Sequence, residues 1–271
     1  MREAIEVEAD SGEAPLAASK VPAVRDMVLD DIGFALRAGL RDYRTKPMMG
    51  LFFSHVYVVG GWLLYVFFFV TDQIWWAIPI TLGFPLLGPF LAVGLYEVSR
   101  RLEAGQKEWR RNDIFGVIWR QRLRQLPSIA WIIIVYFLFW SFFAHMLFAL
   151  FLGPSALTNV TSSYAYLLEP EGLAMLMVGT GFGAVFAFAL FCLTAVSLPL
   201  LLDKELDFVT AMLTSIAVVR RNPGVMLAWG FVIAGLTFLG MLPGLLGLFV
   251  VLPVLGHATW HIYRRALLSQ D

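Results

Sequence analysis

The sequence predicts an all-α fold, a polytopic membrane helix bundle, and three observations carry that prediction. Hydrophobic residues make up 59% of the 271 positions and charged residues only 15%, far from the composition of a soluble domain. Six apolar stretches, at 49–70, 74–96, 128–151, 173–198, 224–242 and 244–263, approach or exceed the roughly 20 residues that a helix needs to cross about 30 Å of hydrocarbon. All 20 lysines and arginines fall in connections on one side of that alternation. Backbone groups in lipid must be hydrogen-bonded inside their own segment, so spans of this length read as helices and not as the shorter alternating strands of a barrel.

Along the chain, residues 1–29 come first and carry Glu3, Glu6, Glu8, Asp10 and Glu13 among Ala, Ser and Pro. With no apolar core and no cleavage site, they read as a disordered acidic tail instead of a signal peptide. Residues 30–271 read as one membrane domain. The cations form four clusters, Arg2 to Lys46, Arg100 to Arg124, Lys204 to Arg221, and Arg264 with Arg265. The opposite connections hold Asp72, then Glu169 and Glu171, then the tight Pro243-Gly244 turn. Cations kept on the cytoplasmic side put both termini there, and basic stretches beside the bilayer favour anionic lipid head groups. The single cysteine, Cys192, excludes an intramolecular disulfide. Asn159-Val160-Thr161 fits a glycosylation tripeptide of little weight.

An internal repeat sets the architecture. Asp31, Asp113 and Asp207 each open a short helical stretch that ends in cations or polar residues and a proline, Pro47, Pro127 or Pro223, at spacings of 16, 14 and 16. Aspartate suits a helix N-terminus, cations suit the C-terminus, and proline suits the first turn of the next helix. In the first stretch Ile32, Ala35, Leu36, Leu40 and Tyr43 recur at helical spacing while Arg37, Arg41 and Arg44 face away, which predicts an in-plane amphipathic helix at the interface. Residues 208–219 are uncharged but too short to span, so they read as interfacial or partly inserted. The closing helices also align: Pro89, Tyr96, Glu97, Arg100 and Arg101 match Pro253, Trp260, His261, Arg264 and Arg265, and Pro199 with Asp203 and Asp207 forms the middle copy. Three helix-plus-hairpin units follow, at about 31–101, 113–202 and 207–265.

Several of these runs carry a resemblance. The Arg-Arg-Asn-Pro-Gly run at Arg220 to Gly224 resembles a recurrent element of bacterial six-helix inner-membrane families, and the acidic tail, the Arg-Asp-Tyr-Arg-x-Lys-Pro run at Arg41 to Pro47 and the Pro-Leu-Leu-Gly-Pro run at Pro85 to Pro89 make roughly residues 30–265 similar to the family called domain of unknown function 2189. The resemblance implies a bacterial inner-membrane protein and no catalytic residues.

Chemistry, if any, belongs to ionisable groups within or beside the spans. Depth along the helices puts His55 and His257 at one level on the cytoplasmic side, with Glu97, Asp203, Asp207 and His261 around them and His145 toward the opposite face. His257 and His261, at i and i+4, are the weak candidates for a metal site, and His55 joins them as a candidate for haem ligation. A proton or ion path through the same layer is the second reading. The third is a structural network of acids paired with arginines, such as Glu97 with Arg100 or Arg101. No phosphate-cradling loop, nucleophile elbow or His-Glu-x-x-His run is present, so no enzyme, no cofactor and no nucleic-acid partner are expected. Gly179, Gly183, Gly230, Gly235 and Gly240 read as close-packing positions, and Trp75, Trp76, Trp131 and Trp260 as interfacial anchors. The expected role is a non-catalytic accessory or scaffold for another membrane complex.

Overall fold

A computed structural model describes residues 21–66, 77–106, 125–152 and 169–267, with isolated positions between 108 and 119. The tail before residue 21, Asp72, Trp75, Trp76, the Asn159 tripeptide and most of the stretch opened by Asp113 lie outside the described residues. Those described are helical almost throughout, with one isolated antiparallel bridge between Val24 and Leu267.

Helix α1 spans Leu29–Thr45. Its first turn is acidic, and Asp31 Oδ2 accepts from the Val28 N–H at 2.9 Å, filling a donor that the helix start would leave bare. Lys46 breaks the run, with φ −134° and ψ 59°, and Pro47 opens α2, Pro47–Tyr65. The same junction recurs between α7, Phe208–Arg221, and α8, Pro223–Met241, where Asn222 has φ −124° and ψ 51° and Pro223 stands first. In both, the junction residue's N–H donates to the carbonyl four residues back, Asp42 or Val218, before proline redirects the chain. Asp207 caps α7 by accepting from the Thr210 N–H at 2.9 Å, as its position predicts.

The remaining helices are α3, Ala77–Glu103; α4, Leu126–Leu152; α5, Pro170–Thr194; α6, Ser197–Asp203; and α9, Leu248–Ala266. The prolines that mark the closing half of each unit act differently. α3 and α9 continue through Pro89 and Pro253, whereas the chain breaks between α5 and α6 just before Pro199. The N–H of Val196 at that break donates to Ser215 Oγ of α7 at 3.1 Å. Between α8 and α9, Gly244 and Leu245 both take positive φ, and Trp62 of α2 donates to the Gly244 carbonyl at 2.9 Å.

Among the described residues, four helical stretches have the length and composition to cross a membrane: Pro47–Tyr65, Leu126–Phe151, Pro170–Asp203 and Pro223–Met241. α9 falls short of that measure, because His257, His261, Arg264 and Arg265 close it.

Packing is uneven along the bundle. The main buried core gathers Val93, Ile129, Val196, Leu200, Val218, Trp229, Ala258 and Trp260, all toward the end of the molecule that carries the arginines. Toward the opposite end, Phe139, Phe142 and Leu150 of α4, Met177 and Val185 of α5 and Phe231 and Phe238 of α8 are exposed.

One expectation changes here. Residues 21–28, read as part of a disordered tail, are extended and tied down: Arg25 N–H donates to Ala266 O at 2.9 Å, Met27 is buried, and Asp26 pairs with Arg221 at 2.6 Å. α1 is amphipathic, with Arg37, Arg41 and Arg44 exposed, and its opposite face packs on α9. Asp31 faces Arg265, Phe34 meets His261, and a Cβ on Gly39 would touch Val254 and Ala258; past the bend, one on Gly50 would touch Tyr43 and Pro253. The Asp31, Phe34 and Gly39 contacts run antiparallel over about 12 Å of α1, and Asp42, one turn further on, returns to His261. α1 thus packs its small-residue stripe on α9 at the basic end of the molecule.

The glycine expectations change as well. Gly179 and Gly235 face open space, Gly230 barely reaches Phe191, Gly183 abuts Trp140 and Gly240 abuts Leu248, while the tightest approaches occur at Gly94, Gly61, Gly256, Gly39, Gly50 and Gly247.

Candidate functional site: a polar clasp around the last helix

The polar residues converge on the last ten residues of α9, and each of three other helices supplies a partner. From α1, Asp42 reaches His261, with Oδ2 2.7 Å from Nε2. From α3, Ser99 Oγ shares a hydrogen bond with His257 Nδ1 at 2.8 Å. Glu103, also on α3, takes the Trp260 indole N–H at 2.8 Å and the Arg264 Nε at 3.1 Å. From α6, Asp203 accepts from the Tyr263 hydroxyl at 2.7 Å and lies 3.7 Å from the Arg264 guanidinium. Arg265 stacks over Phe34, 4.1 Å from the ring centre, and lies 3.4 Å from Asp31.

Helical spacing explains the arrangement. His257, His261 and Arg265 follow one another at i, i+4 and i+8 and so share the face turned to α1, while Trp260 and Arg264 share the next face. On α1 the buried stripe is Asp31, Ile32, Ala35, Ala38, Gly39 and Asp42, so small residues bring the backbones together and an aspartate closes each end.

Electrostatics follow from burial. Asp42 is 2% exposed; desolvation opposes its ionisation, but hydrogen bonding and charge from His261, with a smaller contribution from Ser99, outweigh that and hold its carboxyl below the usual value. The hydrogen bond from Thr210 likewise holds Asp207 low at the start of α7. Glu97 is fully buried and accepts from Arg100 Nε at 2.7 Å and Arg101 Nε at 2.6 Å, the pairing foreseen for it.

The residues placed in one layer by depth do not all meet. His257 and His261 are buried side by side, and Asp203 joins them through Tyr263 and Arg264. His55 is exposed on the outer face of α2, bonded to the Phe52 carbonyl, and does not approach His257. Asp207 is an exposed cap, and His145 bonds the Ser141 carbonyl on its own helix. Trp260, read as an interfacial anchor, is 1% exposed in the core. Among the described residues no group of three His, Cys, Asp or Glu side chains is arranged to hold a metal ion. The His261 Nε2 and His257 Nδ1 atoms are already committed, and His257 Nε2 is buried without a hydrogen-bond partner.

Sequence reasoning missed Asp42, Ser99 and Glu103. The clue for Asp42 was its place on the Asp31, Ala35, Ala38 stripe. Ser99 carried no signal of its own.

Taken together, the helices with membrane-crossing length and the paired buried charges define an integral, multi-pass helical membrane protein. Residues 77–203 match the DUF2189 family, described as a predicted integral membrane protein, so the resemblance seen in the sequence holds from α3 through α6. The Pro85 to Pro89 run lies inside that match, and the Arg41 to Pro47 and Arg220 to Gly224 runs lie outside it. No curated protein and no solved structure matches the chain.

Proposed function

We propose that this protein is a non-catalytic accessory or scaffold of a membrane complex, built from three helix-plus-hairpin units with six crossing helices and both termini on the cytoplasmic side of a bacterial inner membrane. The observation that carries the role is the clasp around α9. Its acids and cations are paired across helices at 2.7–3.7 Å, an arrangement that fixes helices instead of presenting reactive groups. Polar side chains paired across helices in this way supply rigidity. The apolar outer halves of α4, α5 and α8 offer side chains that a membrane partner can cover.

The same geometry favours this reading over transport. The cleft of about 170 Å³ between α2, α3, α8 and α9 is mainly apolar, and its Ser54 and Thr259 hydroxyls turn back to the Gly50 and Leu255 carbonyls of their own helices. Support for repeated units comes from the matching junctions at Lys46-Pro47 and Asn222-Pro223, with backbone angles within about 10° of each other. Support for the orientation is the one-sided placement of lysine and arginine.

The test is affinity purification of the tagged full chain from native membranes in a gentle detergent, followed by mass spectrometry. A defined membrane partner at constant stoichiometry, lost when bulky polar residues replace Phe142 or Val185, is the expected result. A solitary protein whose vesicles pass protons or small ions faster than empty vesicles would replace the accessory role with transport.

A further inference from the structure

We infer that the outward stripe of α1 is a binding site for an anionic phospholipid, with the head group held by Arg44 and Arg41 and the acyl chains lying along the exposed face of α2. The inference rests on the reading that α2 crosses the membrane from the cytoplasmic side.

Five cations at the basic end of this molecule have carboxylate partners. Arg100 and Arg101 are taken up by Glu97, Arg264 by Glu103, Arg265 by Asp31 and Arg221 by Asp26. Among the described residues no carboxylate comes within ion-pair distance of Arg37 or Arg44. Arg41 reaches only the edge of Asp42, at 3.6 Å, and that carboxylate already serves His261. All three arginines are exposed on one stripe at spacings of four and three. Across the bend at Lys46 the same helical spacing continues as Met48, Phe52, Val59 and Trp62, each 41–62% exposed. One continuous seam thus changes from cationic to apolar at the residue where the candidate span begins, which matches a lipid in both charge and polarity.

Distance along α1 from the start of α2 makes the site graded. At about 1.5 Å per residue, Arg44, Arg41 and Arg37 stand roughly 4.5, 9 and 15 Å before Pro47. A head-group layer is only about 5–8 Å deep on each side of the hydrocarbon. Arg44 sits within it, Arg41 reaches down into it, and Arg37 stands clear. The Arg37 side chain, moreover, folds back over Gly33, away from the membrane, its guanidinium 3.7 Å from where a Gly33 Cβ would lie.

The experiment uses the full chain in a neutral detergent, with phosphatidylglycerol and phosphatidylcholine as probes and retained lipid read by native mass spectrometry. The wild type should retain phosphatidylglycerol over phosphatidylcholine. Arg44→Gln should weaken that retention roughly fivefold, the factor that about 1 kcal/mol per cation at an anionic surface gives. Arg41→Gln should weaken it by less, and Arg37→Gln, with the same change in net charge, should leave it unaltered. Equal retention of the two lipids would overturn the inference, as would equal losses in all three variants, the pattern of a helix lying flat. Inorganic phosphate at millimolar concentration should not displace the lipid; if it does, the site is one for free anions. Orientation is checked separately, by labelling Asp30→Cys in a Cys192→Ala background with an impermeant thiol reagent from each side. Labelling from the outside removes the topological reading whatever the lipid result.

Discussion

Gly39→Ala is the most diagnostic single change, because one methyl group would strike backbone instead of a yielding side chain. The new Cβ would lie 2.7 Å from both the Ala258 nitrogen and the Val254 carbonyl oxygen, where ordinary contact starts near 3.4 Å, so α1 must retreat by about 0.7 Å. The same retreat acts on the Asp42–His261 hydrogen bond one turn later, now 2.7 Å. Lengthened by a similar amount, it passes beyond good hydrogen-bond geometry. Overpacking costs about 1–3 kcal/mol and a weakened buried bond to a charged group about 1–2 kcal/mol more. Replacing a helical glycine returns about 1 kcal/mol. The net expectation is a loss of about 2–3 kcal/mol. Gly33→Ala on the same helix is the control, since its Cβ would meet only the Arg37 guanidinium at 3.7 Å, and it should gain up to about 1 kcal/mol. Unfolding of both variants in mixed micelles measures the difference. Should Gly39→Ala equal or exceed Gly33→Ala in stability, the close α1–α9 contact is not part of the folded protein.

Three further outcomes follow from single side chains. Asn222→Ala removes an acceptor from the Met27 N–H and a donor to the Arg25 carbonyl, so residues 21–28 should become the first site of limited proteolysis, with a stability loss of about 1–3 kcal/mol. Ser215→Ala leaves the Val196 N–H unpaired at the α5–α6 break and should speed amide exchange there while α4 is unchanged. Because the Asp42 carboxyl titrates below its ordinary value, its contribution is complete above the unfolded carboxylate range near 4 and is lost as pH falls through the lower folded value. Thermal unfolding should therefore show a gap between wild type and Asp42→Asn that is constant at neutral pH and narrows below about pH 4.

Much of the fold was legible because hydrophobic length and proline position are local signals. The bends at Pro47 and Pro223, the Asp207 cap and the Glu97 pairing with Arg100 and Arg101 all follow from residues within a few positions of each other. What the sequence concealed depends on azimuth and on distant partners. His55 was placed beside His257 by depth, but depth says nothing about direction around the axis. Phe53 and Ser54 face the core, and the next residue, about 100° further round, points out. Asp42 looked like an acid in a charged run, although its phase along α1 put it on the buried stripe. Arginines on one face of α1 and apolar residues on the other are a local signal, but its packing partner α9 lies 219 residues away, from Asp42 to His261, and left no mark beside it.

The clasp also dictates an order of events during synthesis. Asp42 and His261 stand 219 residues apart, so at a translation rate of about 5–20 residues per second the first helix leaves the ribosome roughly 10–45 seconds before its partner exists. During that interval Asp31 and Asp42 are exposed carboxylates on a helix that cannot yet dock, and α3 waits with Ser99 and Glu103 equally unmet. Assembly of the basic end is therefore a closing step triggered by the arrival of α9, and a chain that stops before Leu248 should reach the membrane but remain open to quality-control proteases.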